Sequence, residues 1–217
     1  SQLVSEISTD GRAYEVYPYD NEKIIVSDYE NGLVVMQGTN ILKNIATPAP
    51  VVSFTFWRDN FFIAQLIDTR FLLIEDNEQQ LKIVNEFISP GFTIENKVFN
   101  DFLYVMDSDS GLTVFKNPLS LADTIRIAQL KNFNNIFADS SRLILRSYKG
   151  IVNIVELDDF LPTLNISQLN FNESFDLIYY SNNTLFGFNA NGIKMFELTG
   201  NKLNLLDEDK TINKVYK

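Results

Sequence analysis

The residues of this chain that could do chemistry are carboxylates and aromatics, because its 217 residues include no histidine and no cysteine. That excludes imidazole general bases, Ser–His–Asp triads, thiol nucleophiles, iron–sulfur clusters and disulfides. The remaining candidates fall into short groups. Asp107, Asp109 and Ser110, in DSDSG, set carboxylates at alternate positions, as the start of a calcium loop does. The later bidentate Glu of such a loop is missing, and the run continues directly into an apolar strand, so a hairpin turn explains the same residues. Asp28, Glu30 and Asn31, in DYENG, carry the same two readings. Two acidic groups, Glu156 with Asp158 and Asp159, and Asp207 with Glu208 and Asp209, have the residue types that hold Mg²⁺ or cleave glycosides. As clusters outside strands they read more simply as solvated turns. No residue is assigned a catalytic, cofactor-binding or metal-binding role, and no cofactor is expected.

Trp57 is the only tryptophan, followed by Arg58, Asp59 and Asn60. It can stack on a sugar or anchor a peptide, but it closes the apolar run 51–57, which favours core packing. Tyr14, Tyr17, Tyr19 and Tyr29, and Tyr179 with Tyr180, suit either a binding surface or a strand. No Walker-type or Rossmann-type glycine loop occurs. Three glycosylation sequons, at Asn165, Asn172 and Asn182, are what chance gives in so Asn-rich a chain.

The chain carries 28 Asp+Glu against 18 Lys+Arg, a net charge of −10, which argues against a nucleic-acid partner. Its longest apolar runs are far shorter than the roughly 20 residues a membrane-spanning helix needs, so no membrane insertion is expected. Residues 1–10 do not read as a signal peptide. With 45% apolar residues, the chain can bury a substantial core.

These residues are set in a repeat. An apolar run, a polar turn usually ending in Gly, and a second apolar run recur as KIIVSDYENGLVVM (23–36) and FLYVMDSDSGLTVF (102–115). Weaker copies are RLILRSYKGIVNIV (142–155) and TLFGFNANGIKMF (184–196), and a degraded one is FFIAQLIDTRFLLI (61–74). The turn positions Gly32, Arg70, Gly111, Gly150 and Gly192 are separated by 38, 41, 39 and 42 residues, with Arg70 standing where the others have glycine. Each copy reads as a β-hairpin of strands covered on both faces. A preceding extended segment (52–57, 175–180) and a following alternating one (81–84, 124–128) make four strands per unit. Segments 77–89 and 120–133 can also be drawn as amphipathic helices, but strands keep them in phase with the repeat.

Radial four-stranded units of about forty residues are the signature of a β-propeller. The expected fold is therefore all-β, a β-propeller of five blades of four antiparallel strands, forming a single domain over residues 1–217. The segments 3–8 and 201–207 both read as outer strands, one of which can complete the last blade. A complete ring is the first reading and a fragment of a larger ring the second.

Two copies, IIVSDYENGLVVM (24–36) and LYVMDSDSGLTVF (103–115), resemble the LVIVD-repeat family, whose units run as an apolar strand, an Asp, a short turn, Gly-Leu and a second apolar strand. The family's second-arm Asp is absent here, since Gln37 and Lys116 follow the strands. The resemblance implies a β-propeller of surface proteins without one established activity, and hence an extracellular or cell-surface location. The function expected is a non-enzymatic binding or scaffold module that offers a propeller face to a protein or peptide partner. Two alternatives are a carbohydrate-binding propeller and a metal-dependent hydrolase with carboxylates around a central channel. The first alternative requires equivalent sites in each unit, and the turns DYENG, LIDTR, DSDSG, SYKG and NANG are dissimilar.

Overall fold

The computed structural model describes residues 9, 11–77, 79–119, 124–171, 175–200 and 202–209. Among them there is no helix, and twenty strands form five antiparallel sheets of four. The first sheet is β1 (Ala13–Pro18), β2 (Lys23–Asp28), β3 (Gly32–Gln37) and β4 (Asn40–Ile45). The second is β5 (Val51–Arg58), β6 (Phe61–Leu66), β7 (Arg70–Asp76) and β8 (Leu81–Ile88). The third is β9 (Thr93–Phe99), β10 (Phe102–Asp107), β11 (Gly111–Phe115) and β12 (Thr124–Ile127). The fourth is β13 (Phe133–Ala138), β14 (Arg142–Ser147), β15 (Val152–Asp158) and β16 (Leu161–Leu169). The fifth is β17 (Leu177–Ser181), β18 (Thr184–Asn189), β19 (Gly192–Thr199) and β20 (Lys202–Asp209). Every sheet keeps chain order, so each is a simple meander of the kind the repeat predicts. All five hairpins fall on second and third strands.

Those middle strands are apolar at consecutive positions because both their faces are covered. Phe71–Ile74 and Leu103–Met106 are wholly buried, whereas the fourth strand β20 is exposed at most positions. Burying one such Leu, Ile or Phe side chain contributes about 2 kcal/mol.

The chain divides into two compact units, residues 1–92 with 115–124, and residues 93–114 with 125–217. In the first, Ile25, Leu33 and Val35 of the first sheet share a core with Phe54, Phe62, Leu72 and Ile74 of the second. There β1 adjoins β5, and β4 adjoins β8. In the second unit, Tyr104, Met106 and Val114 pack with Ile136, Leu143 and Val155, while Ile144, Val152 and Ile154 pack with Ile178, Leu185 and Leu198. There β9 adjoins β13, and β13 adjoins β17.

A meander places its first and third turns at one end of the sheet and its second turn at the other. The second turns use left-handed glycine, with φ of 87° at Gly32, 85° at Gly111 and 76° at Gly150. At Gly32 and Gly111 space also demands it, since a Cβ would stand 2.2 Å from the Ile45 carbonyl and 2.4 Å from that of Ile127. The degraded copy differs from the sequence reading. Its left-handed residue is Thr69 (φ 73°), and Arg70 opens β7. Arg70 Nε donates to both Asp68 carboxylate oxygens (3.1 and 2.9 Å) and NH1 reaches Glu86 Oε1 at 3.4 Å, so side-chain ion pairs close this turn. Three of the five first turns take Asp or Asn at positive φ: Asp59, Asn100 with Asp101, and Asn182 with Asn183. These residues visit the left-handed region more readily than other side chains.

Segment 77–89 contains β8, a strand as expected. In 120–133 the described part forms β12 and then opens β13 at Phe133. The outer strand expected over 201–207 is β20, and that expected over 3–8 lies outside the described residues. The acidic groups are only partly turns: Glu156 and Asp158 lie in β15 and Asp159 in the turn after it, while Asp207, Glu208 and Asp209 lie in the mostly exposed β20.

Candidate functional site

The carboxylates singled out from sequence do not converge. Asp28 and Asp107 are fully buried at the ends of β2 and β10, while Asp109 is exposed. Asp28 accepts the backbone N–H of Glu30 and of Asn31, each at 3.2 Å, and so shapes its own turn. Burial pushes the Asp28 carboxyl upward, but these bonds and those from Thr9 and Asn31 outweigh it and hold it below the usual range. Glu30 pairs with Arg12, Glu156 accepts from Asn165 Nδ2 at 3.0 Å, and Glu208 pairs with Lys194 at 3.3 Å. Among the described residues no group of three Asp or Glu is placed to hold a metal ion. Trp57 is 5% exposed, packed against Phe61 and covered by the Arg58 guanidinium at 4.0 Å. It belongs to the core.

The second-turn ends carry large apolar side chains in solvent. In the first unit Ile67 projects from the β6–β7 turn, and Ile88 and Phe92 are 65% and 61% exposed. Arg70 pairs with Ile88, and Ser89 N donates to Thr69 O at 3.0 Å, which fixes the end of β8 beside that turn. In the second unit Tyr148 is 70% exposed in the β14–β15 turn, with Ile151 and Leu177 also exposed. Ser147 holds this turn: its backbone N–H donates to Ile151 O at 2.8 Å, and its Oγ accepts from Ile151 N at 3.1 Å. The buried Arg146 ties the start of β17 to it by donating to the Phe175 and Asp176 carbonyls. Its NH1 also donates to Asn135 Oδ1 at 3.3 Å, and Asn135 Nδ2 donates to Glu95 Oε2 at 3.3 Å. Burial pushes the Glu95 carboxyl above its ordinary range and lowers that of the Arg146 guanidinium.

The first-turn ends are more polar, with Ile41, Leu42 and Phe56 less exposed (46%, 43% and 39%) than Ile88, Phe92 and Tyr148, and each unit has a cleft there. In the first unit a cavity of about 560 Å³ is lined by Tyr19, Lys23, Val35, Leu42, Lys43, Asp76, Asn77 and Gln79. The Asp76 carboxylate accepts from Tyr19 Oη and pairs with Lys43, whose Nζ also donates to Asn77 O at 2.7 Å. The acceptor is only 4% exposed, so this is a closed tie between the first and second sheets. In the second unit a cavity of about 600 Å³ is lined by Phe99, residues 138–142 and residues 180–183. Asp139 Oδ1 accepts from Ser141 N (2.8 Å), Ser141 Oγ (2.9 Å) and Arg142 N (3.0 Å), while Oδ2 accepts from Tyr180 Oη. Arg142 Nε stands 3.5 Å from Asp139, and its NH1 donates to Gly200 O at 3.3 Å. Burial pushes the Asp139 carboxyl up, and the donors on it more than reverse that. Burial and then Asp139 push the Tyr180 hydroxyl up.

Of the tyrosines noted in the sequence, Tyr14 and Tyr179 are exposed, Tyr180 is buried, and Tyr17 stacks edge-on against Phe54 at 4.0 Å. Tyr29 lies under Arg12 at 4.6 Å. Sequons Asn165 and Asn182 are exposed, and Asn172 lies outside the described residues. The sequence reading missed the first turns. Asp20-Asn21, Asp59-Asn60, Asn100-Asp101, Asp139-Ser140 and Asn182-Asn183 recur at the repeat interval, each after a first strand with at least one aromatic. That alignment would have found the polar end.

No family model matches the sequence, and no curated protein matches it. Among solved structures the chain is similar to the computationally designed Ika8 protein, at 13% identity and a TM-score of 0.61, over 90% of this chain and 61% of that one. It is similar to Sqt1 from Chaetomium thermophilum at 13% identity and a TM-score of 0.62, over 86% of this chain and 55% of that one. It is also similar to the AfRom2 CNH domain at 10% identity and a TM-score of 0.52, over 93% of this chain and 86% of that one. The chain thus spans less than two thirds of the designed protein and of Sqt1. At these identities the likeness is one of fold.

Proposed function

We propose that this chain is a five-bladed β-propeller that works without catalysis, docking a protein partner at the second-turn end of its sheets. Five consecutive four-stranded meanders support the propeller. One observation carries the docking: large apolar side chains stand in solvent on or beside the second turns, Ile67, Ile88 and Phe92 in one unit and Tyr148, Ile151 and Leu177 in the other, with hydrogen bonds tying Ser89 to Thr69 and Ile151 to Ser147. Exposed Phe, Tyr and Ile on a hydrogen-bonded scaffold have few rotatable bonds to order on binding and give up water readily. The residues 1–92 and 115–124 carry 14 Asp+Glu against 7 Lys+Arg, which suits a partner with a basic rim. The resemblance of 24–36 and 103–115 to LVIVD repeats adds the expectation of a cell-surface setting.

The test is affinity purification from the native cell with quantitative mass spectrometry, using wild type, Ile88→Asp with Phe92→Asp, and Asn100→Gly. A partner recovered with wild type and Asn100→Gly but lost with the double variant supports the reading. The same proteins recovered with all three would overturn it. So would sedimentation showing that the double variant abolishes only self-association.

A further inference from the structure

We propose that the cleft at the first-turn end of the second unit is a saccharide site. The cleft's charged groups are already engaged with one another. Asp139 holds four donors and lies 3.5 Å from Arg142, while Arg142 itself reaches the Gly200 carbonyl. Neutral groups line the rest. Among the described residues the side chains of Ser140, Ser181 and Asn182 have no hydrogen-bond partner, and Asn183 uses only its Oδ1, accepting from Tyr180 Oη at 3.2 Å. Hydroxyls and primary amides that both donate and accept match the hydroxyls of a sugar, which also do both. An ion gains little in such a site, because no uncommitted charge faces it. The half-buried Phe99 supplies the aromatic surface against which the apolar face of a pyranose rests. The volume of about 600 Å³ lies in the usual range for small-ligand sites. The corresponding cleft of the first unit has a different lining, with Lys23, Lys43 and Asp76 at its wall and only Asn77 and Gln79 as neutral amides.

Asn182 and Asn183 sit at φ of 48° and 60°, so their type alone has a conformational explanation. Glycine takes the same φ values without strain, which allows the amides to be removed and the turn kept. The experiment is a glycan array followed by saturation-transfer NMR with the best-retained oligosaccharide. It compares wild type, Asn182→Gly with Asn183→Gly, and Asn100→Gly, the last altering a first turn that does not line the cleft. Circular dichroism and melting check that all three fold alike. The site predicts retention of a defined set of glycans by wild type and by Asn100→Gly, with at least tenfold weaker binding in the double variant. No retained glycan, or equal retention by the double variant, overturns the site. Equal losses in the double variant and Asn100→Gly overturn it too.

Discussion

The two ends of each sheet spend their side chains differently. At the first-turn ends, acidic and amide turns abut aromatics, and charges are tied across neighbouring sheets: Tyr19 and Lys43 on Asp76, Tyr180 on Asp139. At the second-turn ends, glycine or an ion-paired turn closes the strands, and Ile, Phe and Tyr face water. The lesson is a division of labour. Polar ties between sheets hold neighbouring meanders in place, which frees the opposite ends to expose apolar groups that contribute little to stability. Mutations at the two ends should therefore have crossed effects.

The largest expected effect is on stability at the first-turn end. Lys43→Ala leaves Asp76 charged and nearly sealed from water, and should cost about 3 kcal/mol in denaturant unfolding. Arg142→Ala should cost only about 1 kcal/mol, because Asp139 keeps its four hydrogen bonds. Equal losses would erase the distinction between a closed tie and an open cleft. Next comes binding at the second-turn end. Phe92→Asp or Tyr148→Asp should weaken partner affinity by about 2 kcal/mol and change stability by no more than about 0.5 kcal/mol, read by calorimetry and melting together. A variant that unfolds instead would show that these side chains serve the core.

A smaller effect is expected at the degraded turn. Thr69 is β-branched at φ 73°, so Thr69→Gly should stabilise the protein by about 1 kcal/mol in chemical denaturation. The finest contrast is in pH. Asp139 is depressed in the folded state, so its contribution is present above its unfolded pKa and is lost as pH falls through the folded value. Glu95 is raised by burial, so its contribution is fullest below its unfolded pKa and is lost as pH rises through the folded value. Asp139→Asn should lower the neutral-pH melting temperature and converge with wild type in acid. Glu95→Gln should raise it at neutral pH and converge in acid from above.

How much of this was legible follows from where the information resides. The hairpins were, because consecutive apolar residues such as Phe71–Ile74 and the glycines at 32, 111, 150 and 192 are local signals that recur at a fixed interval. Thr69 was not, because a β-branched residue gives no sign of positive φ, and the accompanying Arg70 pairs with Asp68 and Glu86 depend partly on a neighbouring strand. The Tyr–Asp ties were also hidden. Their partners are 57 and 41 residues apart, and two single residues carry no periodicity. Burial was hidden as well: a hairpin turn explains Asp28 and Asp107 from sequence, but their full enclosure at strand ends depends on neighbouring elements. Trp57 packs in the core as the apolar run 51–57 predicts, since such a run is a stronger signal than one aromatic.

Site-specific photo-crosslinking in the native cell distinguishes the proposed docking at the second-turn end from docking elsewhere. A photoreactive phenylalanine analogue placed at Phe92 or Tyr148 should give a discrete adduct with a different protein, and the same analogue at Asn100 should give none. Adducts formed from Asn100 alone, or from none of the three positions, would contradict it.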